Sequence, residues 1–426
     1  MKRFSKKFYC NDLNLFKQKL LEWSNTFSTS VFLNSNNYGN NNYECICAVG
    51  IESCIPFTLK NSTSKLDDYI ENINDWVFGY INYDLKNEIE DLNTTGKNNF
   101  HLPNLFFFQP KKIWIIHSDC IEALYLNDVY VEEDWNNINS FELKSSPKNH
   151  LVPKLNESLN KQEYLEKIST IKKHINRGDI YELNYCFEWF SNNAQVDTLH
   201  IYKKLNVISQ SPMSVFFKNN NLHLMCSSPE RYLRKENNKL ISQPIKGTSK
   251  RGFDVESDLI LKRNLKSNPK ERSENIMIVD LVRNDMSRFS KPGSVKVKEL
   301  CKVYPFKQVH QMISTIESEL EDNLKVSSII NGTFPMGSMT GAPKVEAMKI
   351  IDKLEISKRG LYSGAVGFID SNKNFDFNVV IRSLIYDEKS KYLSFHVGSA
   401  ITSKSNPEEE YNECLLKGKA MILSLN

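Results

Sequence analysis

Between residues 144 and 160 the chain changes texture, and that change limits what it can fold into. Before the break, short apolar or aromatic runs (Cys45 to Val49, Trp76 to Tyr83, Leu105 to Phe108, Ile113 to Ile116) are divided by polar stretches containing Asn, Gly and Pro, the pattern of strands and turns. After it, periodic helical segments alternate with strand-like ones. Residues 161–176 place Tyr164, Leu165, Ile168, Ile171 and Ile175 on one stripe of a helix that Arg177-Gly178-Asp179 ends, and the run 180–190 follows as a strand. Helices are also expected over 269–284, 343–354 and 407–425. The last has Asn406 as N-cap, Pro407 in first position and Glu409 three residues beyond the cap. Residues 362–369, 377–386 and 393–397 read as strands between them. The expected class is α+β, with largely antiparallel sheet flanked by helices. A β-rich region over 1–150 precedes a second region over 151–426. The polar tract 34–42 (NSNNYGNNN) reads as a surface loop.

Charge and thiols exclude several functional classes. Fifty-five basic and 51 acidic residues leave a formal charge of +4, without the concentrated cationic footprint that nucleic-acid binding needs. No apolar stretch approaches the ~18 residues of a membrane span. The opening MKRFSKKFYCNDLNLF lacks the apolar core and cleavage site of a signal peptide. Nine cysteines, an odd number with no CxxC pair, suit a reducing cytoplasm rather than a disulfide framework.

Four groups of residues carry potential chemistry. Glu271 and Glu274 share one helix face, and Glu410 and Glu413 repeat the spacing with Lys417 one turn on. Two such pairs could hold a hard cation such as magnesium through oxygen ligands. Ordinary solvated faces show the same spacing, which does not decide between the two. Small residues from Gly337 to Lys344, including Thr340, run into a helix whose first turn contains Pro343, and Gly398-Ser399-Ala400 follows a strand. Both could present N–H groups to an anion, or be plain turns. Lys246 lies before Gly247-Thr248; as a nucleophile it would need burial or a cationic neighbour to lower its pKa. Glu230 is either a general acid or the ion partner of Arg231, and His310 reads by default as a core histidine.

In order along the chain, these segments resemble the chorismate-utilising enzymes, most closely the component I chains of aminodeoxychorismate synthases. The resemblance rests on GDIYELNYC (178–186), SSPERYL (227–233), PIKGTSKRG (244–252), KERSENIMIVDLVRND (270–285), VHQMIS (309–314), TFPMGSMTGAPKVEAMKII (333–351), RGLYSGAVGFI (359–369), FNVVIRSLI (377–385), VGSAIT (397–402) and EEEYNECLLKGKAM (408–421). WVFGYINYDL (76–85) extends it weakly towards the N-terminus. The resemblance implies two facing, largely antiparallel sheets flanked by helices. It implies Mg2+ held by Glu274 and Glu413 with Glu271 and Glu410 alongside, and one chorismate carboxylate gripped by Arg382 and Tyr362 with Gly398, Ser399 and Ala400 as backbone donors. Lys417 and Thr340 would place the metal-side carboxylate, and Gly247 and Thr248 would line the pocket. Lys246 would attack C2 as the C4 hydroxyl leaves, with Glu230 protonating that hydroxyl and His310 orienting the substrate. Ammonia from a glutamine amidotransferase subunit would then enter at C4 and expel the lysine, giving 4-amino-4-deoxychorismate for para-aminobenzoate and folate supply.

Anthranilate synthase component I, the first rival, carries alanine at the position of Lys246; a non-catalytic chorismate-binding subunit would lack Glu274, Glu413 or Lys246. Three residues depart from the family pattern. Glu182 stands where ammonia-using relatives commonly have glutamine and water-using ones lysine, Asn275 replaces a common histidine, and Ala400 a usual glycine. Phe32-Leu33-Asn34-Ser35 differs from the Leu-Leu-Glu-Ser of tryptophan-inhibited relatives, which argues against that regulation.

Overall fold

A computed structural model describes residues 3–38, 43–56, 61–143 and 152–426. The end of the expected 34–42 loop and half of the 144–160 break lie outside the described residues. Every pairing between named strands is antiparallel, and the strands form one hydrogen-bonded network with two arms. The arms part at the strand Leu105–Ile116: its first half pairs with Val77–Ile81 and its second half with Ile121–Tyr125. Along the first arm, Thr29–Asn34 pairs with Cys45–Cys54 and Met213–Asn219, and the order continues through Leu222–Ser228, Ser383–Asp387 and Tyr392–Ile401 to Glu182–Ser191. The second arm runs from Val77–Ile81 through Ala365–Ile369, Phe375–Asn378, Arg231–Glu236 and Lys239–Gln243 to Val309–Glu319, which also carries Ile245–Lys250 and Lys296–Pro305.

Alternation along the strands explains why the arms face each other. Val31 and Leu33, with Val215 and Phe217, join Phe368, Phe375 and Phe377 of the other arm in one buried cluster. Their neighbours Phe32 and Phe216 point to the opposite face, into a second cluster under the helices Leu13–Ser24, Lys161–Arg177, Thr198–Ser209 and Pro407–Leu425. The expected stripe is there: Tyr164, Ile168 and Ile171 of Lys161–Arg177 are buried, Asn160 and Glu163 form a capping box, and Gly178 ends the helix at φ +83°. The fold is therefore the expected α+β arrangement.

Several boundaries differ from the sequence reading. The runs 105–108 and 113–116 are one strand, with Pro110 opposite Ile51 beside a register shift, a position where a missing N–H is tolerated. Residues 377–386 are two strands with a break at 379–382. The N-terminal region also contains helices, Leu13–Ser24, Ser62–Ile73 and Val131–Ser140, that its β-rich texture concealed. Among the described residues no helix is long and apolar enough to cross a membrane.

Candidate active site

Two of the places where the chain crosses between the arms lie side by side. One crossing, Pro229-Glu230, joins Leu222–Ser228 to Arg231–Glu236; the other is the break 379–382. They are bonded to each other, Val379 N–H donating to Glu230 C=O at 3.0 Å and Ser227 N–H to Arg382 C=O at 3.1 Å. Beside them opens a cleft of about 830 Å³, open solvent at its mouth included. The strands Ile245–Lys250 and Tyr392–Ile401 line it from the two arms, and the helices Pro269–Ser287 and Pro407–Leu425 close one end.

Lys246 is brought into this cleft by a local irregularity. The ladder between Ile245–Lys250 and Val309–Glu319 shifts register between Ile245 and Thr248, and Gly247 takes φ +100°. A Cβ on Gly247 would lie 3.0 Å from Glu271 Oε2, so glycine serves both the turn and the close approach. Asn275 fixes the same turn from the neighbouring helix, its Nδ2 donating to the carbonyls of Lys246 at 3.1 Å and Met312 at 3.2 Å. The side chain of Lys246 is 10% exposed, and its Nζ lies 2.8 Å from Glu182 Oε1. Burial alone would push the amine pKa down; Glu182, Glu274 and Glu230 outweigh it, so the pKa is raised. Burial, one of the two conditions set for a nucleophilic lysine, is met, but acidic neighbours, Glu182 first among them, raise the pKa instead of lowering it.

Glu230 has the opposite character. Burial pushes its pKa up to about 7, against a hydrogen bond from Ser338 Oγ at 2.7 Å. Arg231 turns away to Asp376, Nε to Oδ1 at 2.8 Å, which separates the two alternatives left open for Glu230. Arg382 sits in the left-handed region at φ +52°, and burial lowers its pKa. Its guanidinium donates to Lys417 C=O at 3.5 Å, and among the described residues no carboxylate lies within ion-pair distance. A largely buried guanidinium without a counter-ion is suited to an incoming carboxylate.

The four glutamates face one another across the end of the cleft. Burial raises the pKa of Glu274 to about 7 and that of Glu271 in the same direction. Burial also acts on Glu413, but Lys417 outweighs it and the pKa falls; Lys417 Nζ is 2.7 Å from Glu413 Oε1 and donates to Gly398 C=O at 2.9 Å. Lys270 Nζ lies 2.9 Å from Glu410 Oε1 and 4.0 Å from Glu274 Oε1. Among the described residues no three acidic, His or Cys side chains converge as a ready-made metal shell. The donor set still fits a hard divalent ion: all four groups are carboxylates, and buried Glu274 Oε1 has no hydrogen-bond partner.

Of the residues singled out in the sequence, thirteen line the cleft: Glu230, Lys246, Gly247, Thr248, Glu271, Glu274, Tyr362, Arg382, Gly398, Ala400, Glu410, Glu413 and Lys417. Three do not. His310 is buried with Nε2 2.9 Å from Asp258 Oδ1. Thr340 is buried and donates to Met336 C=O at 3.1 Å. Ser399 faces the helix Lys161–Arg177, its Oγ 2.9 Å from Tyr164 OH. Pleating accounts for Ser399, because Gly398 and Ala400 occupy the cleft side of its strand. It accounts equally for His310, whose neighbour Gln311 lines the cleft with a buried Oε1 lacking a partner. The sequence reading missed Gln311, and also Asn184 and His396, which is stacked on Tyr362, and it took Ser338 only as part of the small-residue segment. The small-residue segment is a 3-10 turn, Gly337–Met339, and a short strand, Gly341–Ala342, paired with Glu182 and Leu183; the helix begins at Lys344.

The fold and this cleft define a chorismate binding enzyme: the chain belongs to that family, which matches residues 46–423. Among individual relatives, it is 32% identical over 337 residues to aminodeoxychorismate synthase component 1 of Salmonella typhimurium, covering 79% of this chain and 73% of that one. It is 35% identical over 349 residues to anthranilate synthase component 1 of Saccharolobus solfataricus, covering 81% and 79%. A probable chloroplastic aminodeoxychorismate synthase of Oryza sativa is 37% identical over 381 residues, 80% of this chain but 42% of that protein. Several curated relatives are thus much longer than the part this chain spans. Anthranilate synthase component I from Streptococcus pneumoniae shares the fold with a TM-score of 0.76 at 22% identity, over 88% of this chain and 91% of that one.

Proposed function

We propose that this chain aminates chorismate at C4, with ammonia from a glutamine amidotransferase partner, to give 4-amino-4-deoxychorismate. The observation that carries the reading is Lys246, buried in the cleft with a protonatable Glu230 among the carboxylates that surround it. Arg382 would take one substrate carboxylate. Glu271, Glu274, Glu410 and Glu413 would hold Mg2+, which when bound supplies positive charge for another carboxylate.

In the reaction proposed, Lys246 first releases to water the proton that its acidic neighbours keep on it. Its nitrogen then bonds to C2, the ring double bonds shift, and the C4–O bond breaks as Glu230 gives its proton to the departing hydroxyl, releasing water. Ammonia bonds to C4, the double bonds return, and the C2–N bond breaks to restore the amine. His310, buried against Asp258, is not assigned a contact with substrate; Gln311 is the residue of that strand in the cleft.

Purified protein given chorismate, magnesium and an ammonium salt should form aminodeoxychorismate, identified by chromatography after a lyase converts it to para-aminobenzoate. Lys246→Ala should lower turnover at least a hundredfold or divert the product to ortho-aminobenzoate. Ortho-aminobenzoate from the unaltered chain would instead favour the second reading, C2 amination. The anthranilate synthase relative of comparable identity supports that alternative.

A further inference from the structure

Lys270 lies where the two glutamate-bearing helices meet. It sits in the first turn of Pro269–Ser287, its backbone N–H held by the Asn268 cap, and its side chain reaches across to Pro407–Leu425. There Nζ is bonded to Glu410 at 2.9 Å and lies 4.0 Å from Glu274. A divalent ion joining the two helices through those carboxylates would need the space that this ammonium fills. The side chain of Glu410 is 2% exposed and that of Lys270 is 32% exposed, so the lysine has a path to solvent that its partner lacks.

We propose that Lys270 is an internal cation that competes with the divalent metal for Glu274 and Glu410, so that metal enters only as the ammonium swings out. The inference rests on the magnesium reading given above. Its consequence is cation exchange: the free chain keeps its buried carboxylates neutralised and binds metal weakly. A carboxylate of the substrate, as an added anionic ligand, tips the exchange towards the metal.

The test is titration of the full chain with Mn2+ followed by electron paramagnetic resonance, without chorismate, for the unaltered protein, Lys270→Met, Lys270→Arg and Glu274→Ala. Lys270→Met should bind Mn2+ at least tenfold more tightly, Lys270→Arg should stay within about threefold of the unaltered chain, and Glu274→Ala should bind more weakly. Equal or weaker binding by Lys270→Met would show a structural bridge and overturn the proposal. Should Glu274→Ala bind as the unaltered chain does, or should no variant bind, the metal reading itself fails and takes this inference with it. A second readout needs no substitution: amine-selective labelling of Lys270, followed by mass spectrometry, should speed up severalfold on adding Mg2+. An unchanged rate overturns the exchange.

Discussion

Glu182 sets the charge of the amine beside it. The pKa of Lys246 is raised because carboxylates, Glu182 first among them, outweigh burial. Replacing that negative charge with an amide lowers the amine pKa, so the neutral form is reached at lower pH. Glu182→Gln should therefore move the rising limb of kcat against pH to lower values; a limb that stays in place would show that another step governs it. Glu230 gives a prediction about stability. Its folded pKa, about 7, lies above the usual carboxyl value of 4.5, so the folded chain binds more protons than the unfolded one between those limits. Stability should fall as pH rises through that window and stay lower beyond it, by on the order of 3 kcal/mol for this group. Glu230→Gln should flatten that part of a denaturant-midpoint profile against pH. Lys246 and Glu230 could both be named from the sequence. The sign of the Lys246 shift could not, because it depends on Glu182, sixty-four positions earlier and brought close by the fold.

Four helices of the second region were legible, whereas Leu13–Ser24, Ser62–Ile73 and Val131–Ser140 were not. Pro407–Leu425 has the expected limits because its start is written locally, with Asn406 Oδ1 accepting from Glu408 N–H and Pro407 in first position. Strand faces were less legible: alternation requires that His310 and Gln311 point opposite ways, and only the packing of Val309–Glu319 decides which enters the cleft. The irregular turn at Lys246 is the element on which catalysis would depend most. Gly247→Ala should cost about 1–2 kcal/mol for the left-handed backbone, and more where its Cβ approaches Glu271. Asn275→Ala leaves the carbonyls of Lys246 and Met312 without this donor and should destabilise by about 1–3 kcal/mol. Thermal denaturation checks both. For Asn275→Ala, kcat should fall more than KM changes, since the lysine rather than the anion site loses support.

Across the whole molecule, the α+β class was readable from texture, but not how the N-terminal strands pair. Such pairing spans large sequence separations, as between Val77–Ile81 and Ala365–Ile369. Because Thr29–Asn34 also pairs with Met213–Asn219, a chain starting at residue 152 would expose two strand edges and lose about a third of a shared core. It should be recovered as aggregate, while the full chain should melt in one calorimetric transition; a soluble, cooperatively folded fragment would refute that unity. The pleat of Tyr392–Ile401 has a practical use. Combinatorial libraries meant to retune substrate preference belong at 396, 398, 400 and 311, whereas diversity at 399 or 310 would be spent on partners in the scaffold, Tyr164 and Asp258.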